Sequence, residues 1–370
     1  MKYNLIVFGT RPELIKLIPV ILEIRNRSLE SNYKILCTCQ HKELINDLLD
    51  LFNIEPDIKL PINNIGLSIS ESLSNIVKEL ENYISENKSY IGYIIGQGDT
   101  TSSMAAAMVA FLNKIPFAHI EAGLRTFDQE NPFPEEYFRQ IISLSTTIHF
   151  TPTNRAKENL LNEKIPAEKI LHTGNTIVDV LSILNNIQSP AKNESIRKFL
   201  KTNNNAVITC HRRENQNGNF DSLVNTIKEL ANSHPELNFI WLSHLNPFVN
   251  SKLKNESLNG IHNIYIIKPI NIFGMIDLYK SSKLIITDSG GIQEEAVSFN
   301  VPTIVIREKT ERQEAVEIGN SIVVGNSSEK LKLAFNRFLT EKTSPKENPF
   351  GDGKAAFRII DYLEQKTMNS

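Results

Sequence analysis

The chain has 370 residues, 41% of them hydrophobic and 22% charged, with a formal net charge of -2. That length exceeds one ordinary hydrophobic core and predicts a soluble globular protein of two domains. Near-neutral charge, with no basic tail or polybasic stripe, argues against a general nucleic-acid binder and against an anionic-membrane anchor. Cys37, Cys39 and Cys210 form no CxxC pair, and the eight histidines show neither HExxH nor paired spacing, so no disulfide framework and no metal site are expected. The opening MKYNLIVFGTRPE holds an apolar run of only five residues, shorter than a signal-peptide core, and no run approaches the roughly 18 apolar residues of a membrane span. A cytoplasmic location is the expectation.

Taken in chain order, short apolar or β-branched runs predict strands at Asn4 to Phe8, Lys34 to Cys39, Tyr93 to Ile95, Phe117 to Ile120 and Thr147 to Phe150. A second series follows at Ala206 to Thr209, Asn238 to Leu242, Ile264 to Ile267, Lys283 to Thr287 and Pro302 to Ile306. Helical spacing lies between them, at Pro12 to Arg27, Ser70 to Ile84, Thr101 to Asn113 and Ser222 to Asn232, and in a tail from Asp352 to Gln365. Continuous rather than alternating apolar strands predict an α/β protein with parallel sheets covered on both faces. The polar stretch IQSPAKNESIRKFLKTNNN interrupts the series, which places one domain at 1–171 and a second at 172–354.

In such sheets ligands sit beyond the carboxyl ends of the strands, so the turns there carry the argument. GTRPE follows the first strand, with Arg11 at the tip of the turn and Pro12 at a helix start, where an anion is favoured by the helix dipole; Lys16 lies one turn further on. An arginine on a helix start is also an ordinary surface feature. GQGDTTSS puts Asp99 on the next turn, either as a helix N-cap or as an acid or base. HIEAGLRT adds Glu121 and Arg125, and PFPEE adds Glu135 and Glu136 at a helix start, where acids also serve as dipole partners. Convergence of Asp99, Glu121 and Glu135 on one site would create a proton-transfer centre. In the second half, TCHRREN sets His211 and Arg212 at a strand end, suited to a phosphate oxygen. TDSGGIQEEA is the most specific turn. Gly290 and Gly291 let backbone N–H groups approach a diphosphate, Ser289 offers a hydroxyl, and Glu295 stands one helical turn on, within reach of ribose hydroxyls. Arg312, in REKTERQEA, completes the phosphate set. Absence of GxxxxGK[ST] and of GxGxxG after the first strand argues against a P-loop NTPase and a bound NAD.

In order, GTRPE, QGDTTSS, HIEAGLRT, PFPEE, HFTPT, GNT, HRREN, DSGGIQEEA, TERQEA and NPFGDGKAA resemble the UDP-N-acetylglucosamine 2-epimerase family over nearly the whole chain. The resemblance implies a glycosyltransferase-B-like fold, two Rossmann-like domains facing across a cleft, with the C-terminal helix 355–370 crossing back onto the first domain. It implies interconversion of UDP-GlcNAc and UDP-ManNAc through 2-acetamidoglucal, with no redox cofactor, in a homodimer that supplies precursors for surface polysaccharides such as capsule. By motif position, Asp99, Glu121 and Glu135 would move protons and His211 would support the leaving UDP. Arg11, Lys16, Arg212, Met275, Ser289, Gly290, Gly291, Glu295 and Arg312 would bind the nucleotide sugar. Two alternatives stay open: a hydrolysing sub-class that releases ManNAc and UDP, and a 2-epimerase of another 2-acetamido UDP-sugar. Two departures from the family pattern bear on the last: Phe138 stands where asparagine is usual, and Met275 stands where an aromatic ring packs on uracil.

Overall fold

The computed structural model describes residues 2–40, 45–62, 66–187, 194–210, 219–243, 261–341 and 347–368. Among the described residues the chain forms two parallel sheets, each in its own compact unit; one unit comprises 1–180 with 350–370, the other 181–349. The division falls at Val180/Leu181 rather than at 171/172. The strand Ile170–His172 still pairs with its neighbour in the first sheet. The helix that follows is tied there too, since Asp179 accepts the Ala355 and Ala356 amides at 3.2 and 2.9 Å.

The first unit has strands β1 Tyr3–Phe8, β2 Tyr33–Cys37, β3 Ile58–Lys59, β4 Ile91–Gln97, β5 Phe117–Ile120, β6 Ile148–Thr151 and β7 Ile170–His172, in spatial order β3-β2-β1-β4-β5-β6-β7. Its helices are α1 Arg11–Asn26, α2 Asn46–Leu51, α3 Ile69–Asn87, α4 Thr101–Leu112, α5 Glu135–Ser145, α6 Asn154–Asn162 and the start of α7 Thr176–Asn186. Leu5, Ile6, Val7 and Phe8 are all fully buried. That is why β1 reads as an unbroken apolar run: helices cover both faces of the sheet, so neither side of the strand meets water. On one face Leu5, Val7, Ile94 and Phe117 pack with Ile76, Leu80 and Ile84 of α3 and the alanine-rich α4. Ala105, Ala106 and Ala107 let α4 lie close between sheet and neighbours.

In the second unit α8 Asn219–Ser233 follows β8 Asn205–Thr209, then β9 Asn238–Leu242 and β10 Ile264–Ile267. Next come α9 Ile272–Ser281, β11 Ser282–Thr287, α10 Gly290–Ser298, β12 Thr303–Val305, α11 Gln313–Glu317, β13 Ser321–Val323 and α12 Ser328–Thr340. The spatial order, β10-β9-β8-β11-β12-β13, repeats that of the first six strands of the other sheet. Trp241, Phe239 and Phe335 centre its core, the two phenylalanine rings stacked with centroids 5.6 Å apart. Helix α13 Ala355–Met368 returns to the first unit, where Tyr33 donates to Glu364 at 2.9 Å and the Arg27 guanidinium lies 4.5 Å above the Phe357 ring. Both sheets therefore have the Rossmann order and the same topological switch, between β1 and β4 in one and between β8 and β11 in the other. The turns after those strands are where such folds bind ligands.

Candidate active site

The turn after β1 is shaped by a missing side chain. A Cβ on Gly9 would stand 2.1 Å from the Thr38 hydroxyl oxygen and 2.2 Å from that of Ser102, so only glycine fits between β2 and α4. Thr10 caps α1 with extended backbone, and Glu13, fully buried, accepts the Gly9 and Thr10 amides at 3.0 and 2.8 Å. Arg11 begins the helix, half-buried, with no acceptor for its Nε among the described residues. Pro12 occupies the second position, where no intrahelical bond is lost.

Beyond β4, Thr100 and not Asp99 is the N-cap of α4, accepting the Ser103 amide at 3.1 Å. Asp99 is thereby released from the commonplace capping role. Its carboxylate instead accepts from Arg139 Nε of α5 at 2.7 Å. His119 reaches across from β5 to the Gly98 carbonyl at 2.7 Å, and burial drives its imidazole down to about 4. The ring is accordingly neutral at pH 7, and Nε2–H donates, holding the turn that carries Asp99.

Glu121, just past β5, has φ of 68°, a left-handed backbone that a glutamate adopts only when its surroundings enforce it. The enforcement is visible. Lys16 and Gln97 each donate to the carboxylate, one to each oxygen, and Asn175 adds a longer contact of 3.4 Å. Lys16, expected among the nucleotide ligands, lies on Glu121. Glu135 opens α5 and is half-buried. Its neighbour Glu136 is fully buried and structural, accepting the Thr126 and Phe127 amides at 3.0 and 3.1 Å, and Arg125 pairs with Glu163 at 2.6 Å. The first unit thus brings Lys16, Asp99, Glu121 and Arg139 to the ends of β4 and β5, next to the topological switch.

At the switch of the second unit, Thr209 and Thr287 share a hydrogen bond of 2.6 Å at the ends of β8 and β11. Ser289 caps α10. A Cβ on Gly290 would lie 3.2 Å from the Arg312 guanidinium and from Glu311 Oε1, whereas one on Gly291 meets nothing closer than 3.6 Å. Neither glycine needs a positive φ; Gly290 supplies room for Arg312. That arginine is buried against two acids, donating from Nε to Glu294 at 2.9 Å and from a terminal nitrogen to Glu311, which Arg307 also holds at 3.0 Å. The adjacent glutamates of DSGGIQEEA divide their work. Glu294 turns inward to Arg312, and Glu295 accepts from the Tyr279 hydroxyl at 2.6 Å. Met275 sits on the first turn of α9, half-buried against the apolar cluster of Tyr265 and Ile267. His211 and Arg212 lie outside the described residues.

Comparison with known proteins follows the same lines. The family model for UDP-N-acetylglucosamine 2-epimerase matches residues 23–364. The chain belongs to the UDP-N-acetylglucosamine 2-epimerase family. The 2-epimerase of Neisseria meningitidis is 38% identical over 97% of this chain and 98% of its own, and that of Campylobacter jejuni 39% identical over 98% and 97%. The Neisseria enzyme solved with UDP-GlcNAc superposes with a TM-score of 0.89 at 37% identity, covering 99% of this chain and all of that one. The Methanocaldococcus jannaschii 2-epimerase, solved with UDP-GlcNAc and UDP, gives 0.85 at 35% identity with the same coverage. The fold class is that of the 2-epimerases, two Rossmann-like α/β units of the glycosyltransferase-B-like type. Among the described residues no helix is long and apolar enough to cross a membrane, and no group of three or more His, Cys, Asp or Glu is placed to hold a metal ion.

Two residues of this cluster, Arg139 and Glu13, are not among the expected site residues. Arg139 follows Glu135 by four residues, one helical turn, and Glu13 follows Thr10 by three, the spacing of a capping box. Those spacings were the available signals. Phe138, in contrast, is only 4% exposed and belongs to the apolar cluster between α3, α4 and the sheet, so its departure from the family pattern is a matter of core packing.

Proposed function

We propose that the chain is a non-hydrolysing UDP-GlcNAc 2-epimerase that interconverts UDP-GlcNAc and UDP-ManNAc. A base takes the proton from C2, the C2–H electrons become the C1=C2 bond, and the C1–O bond breaks with its electrons on the departing UDP. In return, a diphosphate oxygen adds to C1 of 2-acetamidoglucal while C2 receives a proton on the opposite face. Atoms and electrons balance without water and without a redox cofactor. Asp99, Glu121 and Glu135 are assigned to the proton transfers and His211 to the leaving UDP. Arg11, Arg212, Met275, Ser289, Gly290, Gly291, Glu295 and Arg312 are assigned to the nucleotide. Lys16 keeps Glu121 in place.

The observation that carries this reading is the pair of held carboxylates at the switch point of the first unit, Glu121 under Lys16 and Gln97, and Asp99 under Arg139. Acids fixed by buried partners lose little entropy when they engage a reacting carbon, which is what proton abstraction at an unactivated C2 requires. UDP-GlcNAc in the Neisseria relative supports the substrate class. The same reading carries a cytoplasmic homodimer that feeds surface polysaccharide synthesis.

Proton NMR of the purified protein with UDP-GlcNAc tests it. Accumulation of UDP-ManNAc to a constant ratio, with no free sugar, is the expected result. Free ManNAc and UDP as main products would move the chain to the hydrolysing sub-class, and inert UDP-GlcNAc would point to another 2-acetamido UDP-sugar.

A further inference from the structure

Glu13 does more than cap its own helix, and the chain contains its own control. Helix α3 opens with a capping box of the same spacing, Ser68 with Glu71, in which the Glu71 carboxylate, among the described residues, accepts from Ser68 alone and stands in solvent. Capping alone therefore needs neither burial nor a distant partner. The Glu13 carboxyl is fully buried, and in addition to the Gly9 and Thr10 amides it accepts the Thr100 hydroxyl at 2.6 Å. Gly9 and Thr10 belong to the turn after β1, Thr100 to the turn after β4. These are the adjacent strands of the topological switch. Thr10 precedes Arg11 directly, and Thr100 follows Asp99 directly.

A buried carboxyl is costly unless its bonds repay the loss of water. Burial raises this one to about 7 against the opposing pull of its hydrogen-bond donors, so the fold retains it at a cost that the exposed Glu71 avoids. A cost borne at the junction of two ligand turns is characteristic of functional positioning.

We infer that Glu13 is a positioning residue for the epimerisation, one carboxyl group that locks the Arg11 turn and the Asp99 turn in register. This rests on the reading of Asp99 given under the proposed function. The link can be broken from either end: at Glu13 with the cap of α4 intact, and at Thr100 with the cap lost as well. Glu13→Gln keeps the shape of the side chain and turns one of its two acceptors into a donor: an amide nitrogen turned to Thr100 must donate to a hydroxyl that already accepts the Ser103 amide and leaves the hydroxyl proton without Glu13 as its acceptor, and one turned the other way faces the Gly9 and Thr10 N–H groups. Thr100→Val removes the hydroxyl and leaves Glu13 in its own capping box, and Thr100→Ser restores both the bond to Glu13 and the cap of α4.

The experiment measures kcat and KM for UDP-GlcNAc epimerisation, with Asp99→Asn run beside these variants. Glu13→Gln and Thr100→Val are expected to lower kcat at least tenfold with KM changed less than threefold, and Thr100→Ser to stay within threefold of the parent in kcat. Wild-type kcat in Thr100→Val, or a loss in Thr100→Val that serine does not recover, overturns the inference while leaving the function intact, provided that Asp99→Asn is inactive. An active Asp99→Asn overturns the role of Asp99 and this inference with it. Should Glu13→Gln fail to fold, Glu13→Asp, which draws the carboxyl back from Thr100 and leaves the cap of α4 intact, takes its place with the same expected loss in kcat, and wild-type kcat in it overturns the inference.

Discussion

Replacing Glu13 by glutamine removes a buried charge while keeping the volume of the side chain, so its effect on stability must change with pH. Burial lifts this carboxyl from 4.5 to about 7. Between those values the folded chain keeps a proton that the unfolded chain has released, and stability contributed by the group falls as pH rises through that window. At roughly 1.4 kcal/mol per pH unit, the ionised form costs the fold about 3 kcal/mol above pH 7, and glutamine bears no such cost. Asp179 acts in the same direction, raised by burial to about 6. His119 and His149 act in the opposite one, because burial lowers them to about 4 and about 3, and their unfolded forms take up protons below 6.5. The total pH profile therefore mixes opposing groups, but the difference between variant and parent isolates Glu13. Urea unfolding of both proteins at pH 4.5 and pH 8 is the assay. The Gln variant should gain about 3 kcal/mol on the parent between the two conditions. A difference that does not change with pH would refute the burial argument.

Gly9→Ala should abolish turnover and cost about 1–3 kcal/mol or more of stability, since the new methyl meets two hydroxyl oxygens 2.1 and 2.2 Å away; denaturant midpoints and kcat read both effects. Tyr279→Phe, which removes the hydroxyl that donates to Glu295, should weaken UDP by about 1 kcal/mol in calorimetry and leave kcat nearly unchanged. Phe138→Asn, although asparagine is what the family resemblance implies there, should destabilise the first unit by about 3–5 kcal/mol and leave the UDP-ManNAc product unchanged, as thermal unfolding and NMR would show.

Much of the fold was legible because strands covered on both faces are continuous in hydrophobicity; β1 and β11 stand out for that reason. The short strands β3, β7 and β13 carry too few residues to show a pattern. The turn motifs were legible because glycine and proline have few other uses there, as Gly9 confirms. What the motifs do to one another was hidden. Asp99 by itself reads first as a cap, but Thr100 is the cap and Arg139, forty positions along the chain, binds Asp99. Glu294 and Glu295 are indistinguishable in sequence, since which of them faces Arg312 depends on how α10 is rotated against the loop before α11. Glu13 announced a helix start by its spacing, but spacing gives no depth, and the Thr100 hydroxyl belongs to another strand's turn. The placement of Phe138 was hidden for a related reason, because a residue beside a helix-start motif can face the core.

The central claim is that these carboxylates remove and return hydrogen at C2 without a redox partner. Epimerisation of UDP-GlcNAc in heavy water, followed by NMR and mass spectrometry, tests it most directly. The account predicts UDP-ManNAc carrying one solvent deuterium at C2, and no such label with Asp99→Asn. UDP-ManNAc formed at full rate with its original hydrogen at C2 would contradict it.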